Sequence, residues 1–247
     1  MLTLFRNLFA PPRHMILLVI AAWIGLTLSE KRADRHGASK EDLNNITFYG
    51  LIAFILGGRV SFILQNISAF TKSPLGIFSI NPDLFDPFGA GVVAVIAALV
   101  YGQRRKLALW STLDALTPFF AILAVGLGLS HLAAGTAFGT PTDLPWAIDL
   151  WNAERHPTQV YEILASLLTF ILLWLKKMDS RPGILFLTFA ALTAGWNLLI
   201  QAFRGDSTLI LSGLRQGQVI AWILLLVSFV LIEIRLAQEN SSAAENA

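Results

Sequence analysis

The sequence predicts an all-α polytopic membrane protein with seven transmembrane helices, its N-terminus outside and its C-terminus in the cytoplasm. Three observations lead there. Of the 247 residues, 55% are hydrophobic and only 14% charged, whereas a soluble domain carries roughly 25% charged residues. Apolar runs fit to cross a bilayer recur along the chain, with polar loops between them. The basic residues also alternate from loop to loop.

Composition excludes several classes of function. There is no cysteine, so disulfides, zinc–thiolate sites, iron–sulfur clusters and a cysteine nucleophile of the chain's own are ruled out. A net charge of +2 gives no argument for nucleic acid. The four histidines lack metal-ligand spacing, so no metal site is predicted.

Residues 1–14 read as an amphipathic lead at the interface, with Phe5, Phe9 and two prolines. Met15–Leu28 is the first apolar run. A cleaved signal peptide looks similar, but no small-residue cleavage site stands out and a charged stretch follows, so we expect a first membrane helix. Ser29–Leu43 is a charged loop. The second helix covers about Ile46–Leu64 and includes Gly57-Gly58-Arg59. The loop Gln65–Asp86 carries the turn signals Asn81-Pro82 and Asp86-Pro87. Phe88–Tyr101, rich in glycine and alanine, is the third helix, and the basic turn Gln103–Lys106 leads to the fourth, Leu107–Ala133, with Pro118 inside it as a kink site. Ala134–Arg155 is a loop. The fifth helix, Pro157–Leu175, starts at a proline, whose fixed φ suits a first turn. Gly183–Gln201 is the sixth and Gln216–Leu236 the seventh. The membrane domain is therefore 15–236, followed by a polar, unstructured cytoplasmic tail at 237–247.

Alternate loops hold Lys31, Arg32, Arg35 and Lys40; Arg104, Arg105 and Lys106; Lys176, Lys177 and Arg181; and Arg235. This is the larger share of the chain's 18 lysines and arginines, and it is assigned to the cytoplasm. In that orientation polar side chains from five helices share one layer in the outer leaflet. They are Arg59, His131, Gln159 with Glu162, Asn197 with Gln201, and Gln216 with Gln218; Arg155, Arg204 and Arg215 lie just above. A charge at mid-membrane costs roughly 2.5–3.5 kcal/mol on insertion scales, so Arg59 and Glu162 are expected to pair. Such a pair either fixes helix packing or shapes a site; the neighbouring amides and arginines favour a site. Guanidinium groups suit a phospholipid phosphate, and His156 or His131 suits a general base. Asp114 is expected to pair with Arg104 or Lys106 as a structural contact. Trp110, Trp146 and Trp151 read as interfacial anchors.

The stretch Arg155–Glu162, RHPTQVYE, closely resembles a motif of the prolipoprotein diacylglyceryl transferases. So do the loop Gly139–Trp146, the segment Gly57–Val60, Lys106–Asp114, Gly183–Phe186, Phe203-Arg204 and Gly217-Gln218, all in order along the chain. The resemblance implies a multi-pass enzyme of the bacterial inner membrane. It would move diacylglycerol from phosphatidylglycerol to the lipobox cysteine in the signal peptide of an exported prolipoprotein, with no cofactor. On this reading His156, Glu162 and Arg204 are catalytic. Arg59, His131, Arg155, Gln159, Asn197, Gln201 and Gln218 bind substrate, with Arg155 and Arg204 on the phosphate. The chain departs from the family pattern where Gly126–Thr136 lacks an expected arginine, asparagines and glutamate, where Phe88–Gly91 lacks a histidine, and where Thr193–Gln201 lacks a tyrosine and an arginine. Three other readings stand beside this one: a non-catalytic relative that binds lipid or precursor, a transferase for another lipid or acceptor, and a transporter. The transporter is disfavoured by polar residues concentrated in one leaflet.

Overall fold

The computed structural model describes residues 13–79, 81, 84–176, 181–210 and 213–245. Most of the expected interfacial lead at 1–14, together with Pro82 and Lys177, lies outside the described residues. The chain forms α1 (Arg13–Glu30), α2 (Lys40–Gln65), α3 (Ile67–Lys72), α4 (Pro87–Arg104), α5 (Leu109–Ala134), α6 (Thr158–Leu175), α7 (Ile184–Ile200) and α8 (Gln216–Glu245). Single 3-10 turns stand at Ala33–His36, Pro74–Phe78 and Gln201–Phe203. Among the described residues six helices are long and apolar enough to cross a membrane: α2, α4, α5, α6, α7 with its 3-10 extension, and α8. The apolar stretch of α1, His14–Glu30, is shorter. Large apolar side chains such as Trp222, Leu226 and Val230 are exposed along these helices. Hydrocarbon accepts such surfaces as water does not.

Two compact units divide the chain, Ala33–Thr112 and the remainder. In the unit Ala33–Thr112, α2 packs on α4 through glycines. A side chain at Gly57 would run into Val93, one at Gly58 into Phe85, and one at Gly89 into Ser61. α2 begins six residues before the sequence reading placed it, at Lys40, where Glu41 and Asp42 suit the positive end of a helix dipole. Asp42 accepts from Arg105 at 2.9 Å and from the Tyr101 hydroxyl at 3.0 Å, joining the ends of α2 and α4. At the other end Asp86 caps α4 ahead of Pro87, accepting from the Phe88 and Gly89 amides, the Ser61 hydroxyl and Gln65.

Arg59 is also placed in this unit. Its guanidinium donates to the carbonyls of Leu84 and Gly76 at 2.8 Å each and of Ile77 at 3.3 Å. These carbonyls lie in the 3-10 turn and loop that follow α3, and the arginine ties them together, although the Gly76 carbonyl also accepts from the Ser79 amide. Arg59 therefore holds the 76–84 loop within its own unit.

In the other unit, α1 and α5 meet through small residues. A side chain at Gly25 would meet the Phe119 backbone at 2.9 Å, and one at Gly126 would run into Ala21. The Phe119 amide, next to Pro118, donates to Ser29 Oγ at 3.0 Å. Asp114 takes a part in this unit that the sequence did not show. Its carboxylate accepts from the amides of Gly183 at 2.6 Å and Phe186 at 2.8 Å and so caps α7. Gly183 precedes α7 with φ +96° and has no side chain to cap it, and Asp114 supplies the cap from another helix. α8 continues in helix through Glu245, where the sequence reading expected an unstructured tail from 237.

Candidate functional site

The site grows from the end of α5. Gly135, at φ +68°, stands where the helix must stop, and the Thr136 amide turns back to the His131 carbonyl at 3.1 Å. This is the six-to-one closure of a glycine-terminated helix. It holds His131 three residues before the helix end. One turn earlier Gly128 faces α6: a side chain there would lie 2.8 Å from Ile163 Cγ1 and 3.1 Å from the Ile163 amide nitrogen. The missing side chain lets α5 and α6 approach closely, and Glu162 comes within reach of His131.

His131 Nδ1 lies 2.7 Å from Glu162 Oε2. An ionised carboxylate only accepts, so Nδ1 carries the hydrogen. The other carboxylate oxygen, Oε1, accepts from Arg204 at 3.4 Å. Arg204 in turn grips Asp206 with two bonds, Nε to Oδ1 at 2.9 Å and one terminal nitrogen to Oδ2 at 3.0 Å. The four side chains are shielded without being sealed, with exposures of 14% at Glu162, 19% at Arg204, 25% at Asp206 and 26% at His131. Burial works to raise the Asp206 carboxyl; hydrogen bonds and charge from Arg204 outweigh it and hold the group below its ordinary value. Arg215 donates to the Arg204 carbonyl and brings a second guanidinium to the cluster.

A strip of backbone positions Arg204. Residues 138–142 run between 203–205 on one side and 154–156 on the other. The Thr140 amide donates to the Phe203 carbonyl and the Gly205 amide to Phe138, both at 2.8 Å; on the far flank His156 donates to Thr140 and Thr142 to Glu154. Gly139 and Gly205 permit this contact, since a side chain at Gly205 would meet the Gly139 carbonyl and one at Gly139 would meet His156. The flank at 154–156 is the second arm of a hairpin, Ile148–Asp149 with Glu154–Arg155. Its turn places Trp151 and Asn152 at φ +57° and +59°. Asparagine tolerates that conformation and tryptophan does not. The Trp151 indole offsets the strain by donating to the Gly135 carbonyl at 3.0 Å.

The remaining expected site residues are placed as follows. Arg155 donates to the carbonyls of Leu150 and Gly139 and lies over the Phe138 ring, so its guanidinium braces the loop. Gln159 is fully buried and donates to the Thr136 carbonyl at 2.8 Å, fastening the start of α6 to the end of α5. His156 packs on Phe203 with centroids 5.0 Å apart, and its Nδ1 is 3.5 Å from the Tyr161 hydroxyl, which accepts from Trp146. Gln201 accepts from Ser207 and lies over Gly217, where a side chain would displace it. Gln218 donates to Leu198, and Asn197 donates to Thr193 within α7. Of these amides Gln218 joins α8 to α7, Gln201 holds the loop at Ser207 and Asn197 bonds within its own helix, whereas Glu162, His131 and Arg204 converge.

Sequence reasoning missed Asp206, Tyr161 and Trp146 as members of the site. An aspartate two residues from an arginine was the one available signal. Among the described residues no group of three or more His, Asp or Glu converges as metal ligands do.

Known proteins share this sequence over most of its length. A protein named phosphatidylglycerol–prolipoprotein diacylglyceryl transferase from Geobacter sulfurreducens is 32% identical over 76% of this chain and 75% of its own length. One of the same name from Clostridium tetani is 28% identical over 89% of this chain and 90% of its own. A third, from Shewanella sp. strain ANA-3, is 30% identical over 69% of this chain, and the match spans 65% of that relative's length. The profile of the family described as prolipoprotein diacylglyceryl transferase matches residues 13–234, a span that takes in every member of the His131–Asp206 cluster and the strip that positions it, and the chain belongs to that family.

Proposed function

We propose that the protein transfers the diacylglyceryl group of phosphatidylglycerol to the lipobox cysteine of exported prolipoproteins, a step of lipoprotein maturation at the bacterial inner membrane. Family membership supports the reaction class. One observation supports the location of the chemistry: the half-shielded cluster in which Arg204 and Glu162 meet. The reading includes seven membrane spans, with the N-terminus outside and the C-terminus in the cytoplasm. It rests on the surplus of basic residues in alternate loops, and it sets the cluster on the side where an exported cysteine arrives.

The reaction joins a thiol sulfur to a glycerol carbon and expels glycerol phosphate. It needs a cation for the phosphate and a path for the thiol proton. Arg204, with Arg215 beside it, supplies the cation, and the carboxylates of Glu162 and Asp206 hold Arg204 in one orientation. Two guanidinium groups against two carboxylates leave the cluster neutral while His131 is neutral, so a phosphodiester meets no net repulsion. Arg155 and Gln159 act through the backbone they brace, and His156 with Tyr161 forms an aromatic wall.

The test uses the full chain in phosphatidylglycerol liposomes with a lipobox peptide, following labelled diacylglycerol onto the peptide. Arg204→Ala should lower kcat/KM by about 100-fold or more, the scale of losing one charge-stabilising donor. One further reading has a specific observation behind it. Residues 126–136 lack the signature the family carries there, as a non-catalytic lipid-binding relative would. Folded protein that binds phosphatidylglycerol and transfers nothing would establish that alternative.

A further inference from the structure

We infer that His131 is the general base for the incoming thiol and that Glu162 orients it, so that the substrate's own cysteine completes a Cys–His–Glu arrangement. The inference rests on the transfer reaction proposed above and assigns its proton path. Nδ1 is held by Glu162 at 2.7 Å, which fixes the ring and its tautomer. Nε2 is then the nitrogen with a free lone pair, and no protein group among the described residues bonds it. The same logic serves hydrolases in which a carboxylate on one imidazole nitrogen prepares the other to take a proton. Here the nucleophile is absent from the chain, because the chain has no cysteine and the substrate brings one.

Placement argues for a built dyad. His131 is held by the closure at Gly135 and Glu162 by the close approach at Gly128, on two different helices. His156 lacks this arrangement, since its ring faces Phe203 and Tyr161 and no carboxylate among the described residues holds it.

The step balances as follows. The thiol S–H bond breaks and the proton goes to Nε2. The sulfur pair forms the C–S bond at the glycerol carbon. The bond from that carbon to the phosphate oxygen breaks with its electrons on oxygen, and glycerol phosphate leaves. The imidazolium proton then passes to that phosphate or to water.

The experiment measures kcat and KM from pH 6 to 10 for the full chain in phosphatidylglycerol liposomes with the lipobox peptide. Charged groups facing the ring are Glu162 from α6 and, beyond it, Arg204 and Asp206 from the loop after α7. His131→Ala should lower kcat at pH 7 by about 100-fold or more with KM little changed. The deficit should shrink as pH rises past about 8.5, where a free thiol ionises without help, and added imidazole should restore part of the rate. His131→Gln, whose amide still donates to Glu162 but cannot take a proton, should show the same deficit while retaining lipid binding. A variant as active as the parent, or a deficit equal at every pH with no imidazole rescue, overturns the assignment. Wild-type protein that transfers nothing at any pH overturns the transferase reading as well, so the two failures are distinct.

Discussion

Arg204 meets two carboxylates at once, and the asymmetry between them has consequences. Asp206 takes two short bonds and Glu162 one long one. A phosphate oxygen would displace the 3.4 Å contact before the paired ones, so substrate binding should free Glu162 for His131 while Asp206 keeps the guanidinium in place. Asp206→Ala should therefore raise KM for phosphatidylglycerol by about tenfold, and Asp206→Glu should recover part of it; an unchanged KM in the alanine variant would remove Asp206 from this role. Acid acts on the same residue. At Asp86 the Ser61 hydroxyl is the leading influence, opposed by burial and helped by the Gly89 and Phe88 amides and Gln65, and the carboxyl is held below its ordinary value of 3.8. Asp206 is held low as well. Both are depressed in the folded state, so their stabilisation is present above the unfolded value and is lost as pH falls through the lower folded values. Unfolding followed by circular dichroism in detergent should hold steady from pH 7 to about 5 and decline below about 4, less steeply in Asp206→Asn. A decline already complete by pH 5 would contradict the assignment.

At the scale of elements, glycine decides where helices meet. Gly128→Val would drive a side chain into Ile163 and separate α5 from α6. Overpacking of this kind costs about 1–3 kcal/mol, and activity should fall further than stability because the His131–Glu162 contact opens. Gly91, in α4, meets nothing within 4 Å. Gly91→Ala should leave transfer untouched and stabilise by about 0.5–1 kcal/mol through helix propensity; measuring both variants by denaturation and by transfer rate separates packing from function. Asp114→Ala should cost about 1–2 kcal/mol through the lost cap of α7. Six long apolar helices were legible because hydrocarbon demands long apolar runs, and composition records that demand directly. Asp86-Pro87 was legible as a turn and proved to be a cap followed by a first-turn proline. The partners of Arg59, Asp114 and Glu162 were not legible. Shared depth in a bilayer says nothing about which way around its helix a side chain points, and a carbonyl left bare by an irregular loop leaves no mark in the sequence. The two-residue strands at 148–155 were equally hidden, being too short to show alternation.

On the scale of the whole molecule, a cysteine-free chain makes its topology directly testable. Single cysteines at Thr142 and Ser207, labelled by a membrane-impermeant maleimide, should react from outside intact spheroplasts, and cysteines at Ser39 and Glu30 only after permeabilisation. The reverse pattern would invert the proposed orientation. The strip at 138–142 has a further consequence, in the time course of synthesis. Its partner at 203–205 lies 63 residues later between Thr140 and Phe203. At about 5–20 residues per second the ribosome takes roughly 3–13 s to supply it. Through that interval one edge of the strip has no partner, open to proteases and to other unpaired edges, and Arg204 does not yet exist. On the proposed transfer reaction, a nascent chain stalled before Arg204 emerges is therefore inert, and its work on substrate waits for the end of α7.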